Sequence, residues 1–234
     1  MFTDHSLSKR RFLLAVSLTA IAMSVHAISF SDLSNKDAST GLKAALDKGS
    51  VAAVAKLGVE NGFLNNDKVR IPLPSVLEKA RPILKMTGKS QQLDELVLSM
   101  NRAAESAVPL AKPLLINAVK SMTLTDAKNI LTGGETSVTD FFKEKTAAPL
   151  AVKFLPLVKN VTDKAGLSSK YNNMMGQAQK FGVVPAQEAT VEGYVTQKAL
   201  DGLYLMIAEE EKAIRKDPLG SGSKAISQVF SLLK

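Results

Sequence analysis

The chain has 234 residues, with 30 lysines and arginines against 22 aspartates and glutamates, two histidines, and no cysteine or tryptophan. It can form no disulfide and offers no thiol nucleophile or thiolate metal site, and its length is enough for one domain with a sizeable core. The net charge of +8 favours acidic partners, but basic residues are interspersed with acids and no aromatic-basic platform is present, so nucleic acid is not an expected partner.

Residues 1–27 have the layout of an export signal. Lys9, Arg10 and Arg11 precede an apolar run from Phe12 to Val25. That run is about 14 residues long, short of the roughly 20 that span a bilayer. Val25 and Ala27 supply the residues a signal peptidase reads, so cleavage is expected after Ala27 and the mature protein in the periplasm. "SKRRFL" resembles a twin-arginine signal, but Lys9 stands where the first arginine belongs, and the ordinary secretory route is the default. Without a cysteine the protein is not a lipoprotein. Cleavage removes both His5 and His26. It also takes three of the 30 basic and one of the 22 acidic residues, leaving a net charge of +6. Histidine- and cysteine-based catalysis is thereby excluded from the mature chain, as are the usual zinc and haem ligands. No metal or cofactor is expected.

Beyond the leader, residues 28–38 read as a flexible polar arm and 39–234 as one all-helical domain. Apolar residues recur at spacings of three and four along most of it. The first helix is expected from about Thr40 to Leu57, ended by Gly58. "VENGFLNNDKVRIPLP" is a long irregular link, in which Pro72 and Pro74 hold Ile71 and Leu73 extended. A second helix opens at Ser75 as N-cap, is kinked or divided by Pro82 and stops at Gly88. A third opens at Ser90, with Leu93, Leu96, Val97, Met100, Ala104 and Ala107 on one stripe, and Pro109 and Pro113 break or bend the chain beyond it, up to about Met122. Thr123 and Asp126 form a capping-box-like start, and Ser137 with Asp140 repeats the signal. The helix after Ser137 bends at Pro149 and Pro156. Another covers Ser168 to Lys180. "FGVV" at 181–184 reads as extended. The longest and most apolar helix runs from about Thr190 to Lys216, with Pro218 as terminator, and a short amphipathic helix ends the chain.

Several of these stretches are familiar as a set: "NGFLNNDKVRIPLP" (61–74), "LSMNRAAESAVPLAKP" (98–113), "SMTLTDAKNILTGGETSVTDFFKEKT" (121–146) and "KALDGLYLMIAEEEKAIRKDP" (198–218). Their order and spacing resemble a bacterial family of exported helical proteins, domain-of-unknown-function family forty-one ninety-seven. The resemblance spans nearly all of the mature chain. It implies a helical exported protein and brings no activity, ligand or catalytic residue.

Candidate site residues come from the residues themselves. Asp201 interrupts the apolar run "ALDGLYLMIA", with Lys198 and Leu205 close to its face and Tyr204 nearby. In a central helix that is apolar nearly all round, a carboxylate needs a donor, and Arg102 or Arg70 is the expected one. The pair is expected to be structural; a ligand-binding charge is the alternative, and catalysis the third. Gly133, Gly134 and Thr136 form a weak anion-site candidate ahead of a helix N-terminus, against which stands a plain helix-to-helix turn. Glu209, Glu210 and Glu211 point about 100° apart and so cannot converge on a metal ion; a solvated face is expected. Ile226, Val229, Phe230 and Leu233 give the last helix an apolar stripe for docking on the core or on a membrane. The fold expected is a single irregular bundle of about seven or eight helices around the 190–216 helix. The function expected is a non-catalytic periplasmic binding or structural protein. The alternative is a carrier of an apolar or lipid-like ligand. An enzyme using only carboxylates, lysine or tyrosine is the third class, and an acidic membrane surface or an apolar ligand is the candidate partner.

Overall fold

The computed structural model describes residues 35–180, 188–217, 220 and 224–230. The leader, "FGVV", Pro218 and Leu233 lie outside these residues. The protein is an all-α bundle. In chain order the described helices are α1 (Asn35–Leu57), α2 (Ser75–Met86), α3 (Ser90–Ala107), a 3-10 turn (Val108–Leu110), α4 (Ala111–Lys120), α5 (Leu124–Thr132), α6 (Ser137–Thr162), α7 (Ser168–Lys180), α8 (Val191–Lys216) and α9 (Lys224–Phe230). Pro109 breaks the chain between α3 and α4, one of the two outcomes its position allows. Pro113 falls in the first turn of α4, where a missing N–H removes no intrahelical bond. α1 begins at Asn35, so residues 35–38 of the expected arm are helical.

α8 lies against α1, α3 and α6, and the core forms where these four meet. Leu42 and Leu57 of α1, Leu93, Leu96 and Met100 of α3, Phe142, Leu150 and Phe154 of α6, and Leu203 of α8 are all but fully enclosed. α6 stays continuous through Pro149 and Pro156. Both prolines are exposed, so the carbonyls of Lys145 and Val152 that lose their intrahelical donors share the outer, hydrated side. α9 packs on α1 with Ile226 and Val229 buried, so these two residues of the stripe dock on the core.

Local signals act unevenly. At α5 the capping box forms in full: Thr123 Oγ1 accepts from Asp126 N at 3.1 Å, and Asp126 Oδ2 accepts from Thr123 N at 2.9 Å. Those bonds hold the Asp126 carboxyl below its ordinary value. At α6 the same pattern does not cap, because the Ser137 hydroxyl instead donates to the Ile130 carbonyl at 3.0 Å. α2 starts at Ser75, but the residue before it is Pro74, and no side chain caps it. Its end is sharp. Gly88 takes φ +74°, and Lys89 N donates to the Leu84 carbonyl at 2.8 Å, the six-to-one closure of a left-handed helix stop.

Candidate functional site

The link from Gly58 to Pro74 forms turns and extended backbone, as its prolines and asparagines predict. Its polar backbone is not left to water. Three side chains from one turn of α3 take it up. Glu105 is 4% exposed, and its Oε1 accepts from two consecutive amides, Phe63 N at 3.0 Å and Leu64 N at 3.1 Å. Its Oε2 accepts from Arg102 Nη1 at 2.6 Å. Arg102 Nη2 then donates back to the link, to Asn61 Oδ1 at 3.0 Å and Glu60 Oε1 at 3.1 Å. Asn61 has φ +68°, a left-handed conformation that asparagine tolerates better than most residues. One turn back along α3, the fully buried Asn101 pairs with Ile71 as a neighbouring strand would. Its Oδ1 accepts from Ile71 N and its Nδ2 donates to Ile71 O, both at 2.9 Å.

α8 closes the other side. Phe63 is fully buried over Gly202, where an added Cβ would lie 2.8 Å from the ring. Tyr194 OH donates to the Pro72 carbonyl at 3.2 Å. At the far end Lys68 pairs with Glu209, and Lys56 of α1 pairs with Glu210. The described residues of the stretches 61–74, 98–113 and 198–217 are thus one packed unit. An open cleft of about 410 Å³ borders it, between Gly58, Glu60, Arg102, Ser106 and Pro109.

This arrangement corrects the expected pair. Asp201 is exposed and accepts from Gln197 Nε2 at 2.9 Å. Gln197, Lys198, Asp201 and Leu205 form an outward row on α8, so that helix is not apolar all round. Arg102 does clasp the link to the bundle, but its buried carboxylate is Glu105, three residues on. Arg70 is exposed. Lys198 is exposed too, with Nζ 5.8 Å from the Tyr194 ring centroid. Tyr204 is buried and shares a 2.9 Å hydrogen bond with Thr146 Oγ1. Asp201→Asn is therefore expected to change unfolding stability by less than about 0.5 kcal/mol in urea titration, as at an ordinary surface position. A loss of several times that size would restore the buried-pair reading.

Gly133, Gly134 and Thr136 form the turn between α5 and α6. A Cβ on Gly133 would sit 2.6 Å from the Asn129 carbonyl, so close packing of two helix ends accounts for the glycine. Thr136 makes no side-chain cap.

The glutamate triplet of α8 diverges as its helical spacing dictates, but only partly into solvent. Glu211 is 5% exposed, and Arg215 Nη2 lies 2.7 Å from its Oε1. Its Oε2 is buried without a protein partner, beside a void of about 10 Å³ lined by Ser50, Phe142 and Ile207. Burial pushes the Glu211 carboxyl above its ordinary value of 4.5 against the pull of Arg215, and Glu135 and Asp140 add to the rise. A carboxyl raised on folding stabilises the fold below its unfolded pKa and loses that contribution as pH rises through the folded one. Glu211→Gln is expected to gain stability relative to the wild type as pH rises from about 4 to 7 in urea titrations. A difference independent of pH would contradict this.

The remaining titratable chemistry is subdued. Burial pushes the phenols of Tyr171 and Tyr194 up to about 12 and raises that of Tyr204, so none supplies a phenolate near neutrality. Among the described residues, no group of three or more acidic, histidine or cysteine side chains could hold a metal ion, and no helix is long and apolar enough to cross a membrane.

Fold and site together define a helical bundle whose polar cluster ties an irregular segment between two helices. The chain belongs to the protein family of unknown function DUF4197, whose model matches residues 32–231. No curated protein and no solved structure matches the chain.

Proposed function

We propose that this is an exported, non-catalytic interaction protein that works through its outer faces. One observation carries the reading. The buried carboxylate nearest the open cleft is committed to the fold, because Glu105 accepts two backbone amides and a guanidinium and Arg102 turns its other edge back onto the link. Both oxygens of that carboxylate are thereby taken up inside the fold. Export is supported by the basic and apolar leader and by a family match that starts at residue 32, past that leader. The periplasm is the proposed compartment.

A second reading, the carrier of an apolar ligand, is favoured by an open cleft of about 520 Å³ between α1 and α5. Ala38, Leu124, Ala127 and Leu131 line it, and its size is in the range of small-molecule sites. Native mass spectrometry of protein recovered from its own periplasm separates the two. The interaction reading expects a bare chain beginning at Ile28. A stoichiometric lipid or other apolar molecule carries the assignment to the carrier, and a cytoplasmic chain beginning at Met1 overturns export.

A further inference from the structure

α2 stands apart from the rest of the bundle. It packs chiefly on α3, and Leu77 is its only buried side chain. Its free end carries two of the most exposed large apolar residues described, Ile83 at 67% and Met86 at 88%. Beyond Met86 the chain turns through Gly88, around which a Cβ would meet nothing within 4 Å, so the turn is open at that point. The charge around it is mostly positive: Glu78 pairs with Arg81 and also acts on Lys85, and Asp94 acts on Arg81 from beyond the turn. Residues 79–93 hold Lys79, Arg81, Lys85 and Lys89 and no carboxylate. Arg81 is neutralised by Glu78, but among the described residues Lys79, Lys85 and Lys89 have no carboxylate within ion-pairing distance.

We propose that the α2 tip docks on a bilayer containing anionic phospholipid, with Ile83 and Met86 entering the headgroup–acyl boundary and Lys79, Lys85 and Lys89 meeting lipid phosphates. Exposed apolar side chains on a segment that also carries lysines outside any ion pair are the pattern by which peripheral proteins bind acidic membranes, through buried apolar area plus electrostatic attraction. Unpaired lysines beside exposed apolar side chains favour an acidic bilayer over a peptide helix or strand. The proposal rests on the reading of a protein that acts through its surface, and it names the partner.

Flotation of the exported chain tests it. The protein is expected to bind vesicles of equal parts phosphatidylglycerol and phosphatidylcholine, to leave them at high salt, and to ignore pure phosphatidylcholine. Lys85→Gln with Lys89→Gln is expected to weaken binding about 30-fold, and Ile83→Asn with Met86→Gln at least about tenfold. Val152→Gln is expected to bind as the wild type does. Because the chain has no cysteine, Met86→Cys can carry a single environment-sensitive fluorophore, whose emission should shift to the blue on the acidic vesicles. Absence of binding to acidic vesicles, equal binding to neutral ones, full binding by both tip variants, or an unshifted label overturns the proposal. A bare exported chain in native mass spectrometry would leave the interaction reading standing even then.

Discussion

Replacing Glu105 by alanine is expected to lower the unfolding free energy by about 4 kcal/mol, the cost of breaking a buried ion pair by removing one partner. For a chain of this size that corresponds to a fall of about 10 °C in Tm. Three bonds go at once. The Phe63 and Leu64 amides lose their acceptor, and Arg102 keeps only the exposed Glu60 and the half-buried Asn61. Glu105→Gln should fall between wild type and alanine, because a neutral amide oxygen can still accept from the backbone but cannot balance the guanidinium. Thermal unfolding of the three proteins, with Arg102→Ala alone and combined with Glu105→Ala, checks this. Arg102→Ala should cost clearly less in the Glu105→Ala background than in the wild type, and strict additivity would mean the two do not act as a unit.

Truncating Phe63 to alanine is expected to cost a further 3–5 kcal/mol or so, as for other fully buried aromatic side chains. The position of Phe63 is the reason: it belongs to a link without regular structure, yet its ring is wholly enclosed against Gly202. The reciprocal change, Gly202→Ala, forces a methyl to 2.8 Å from the ring and should cost about 1–3 kcal/mol. Urea titration measures both. If the link were a loose surface loop, Phe63→Ala would be nearly neutral and Gly202→Ala, in the middle of a helix, would stabilise.

The helices were legible because their signals are local. Gly88 and Thr123 with Asp126 mark boundaries through bonds made within a few residues, and the three-and-four spacing of α3 marks its buried stripe. The site was half legible. Arg102 could be picked as a clasp because it lies beside that stripe, but its partner could not be chosen by asking which acid interrupts the most apolar run. Asp201 sits in that run and faces outward, since α8 keeps one narrow exposed row through Gln197, Lys198 and Leu205. The better signal lay in α3 itself. Asn101 and Glu105 are four apart, and both fall among Met100, Ala103, Ala104 and Ala107, which are fully buried. Two polar residues at that spacing on an apolar face point to buried backbone needing partners. Which backbone they serve depends on the path of the link through the fold, and residues forty apart in sequence carry no mark of it. The same holds for Glu211. Its pairing with Arg215 follows from a one-turn spacing, but its burial depends on where α1 and α6 cross α8.

Amide hydrogen exchange at Phe63, Leu64 and Ile71 tests most directly whether α3 side chains fasten the link. These amides donate to side chains instead of to regular secondary structure, so their protection reports on Glu105 and Asn101 alone. In the wild type all three should exchange as slowly as the core amides of α8, and in Glu105→Gln those of Phe63 and Leu64 should speed up selectively while α8 stays protected. Rapid exchange at Phe63 and Leu64 in the wild type, at the rate of an exposed loop, would contradict the account.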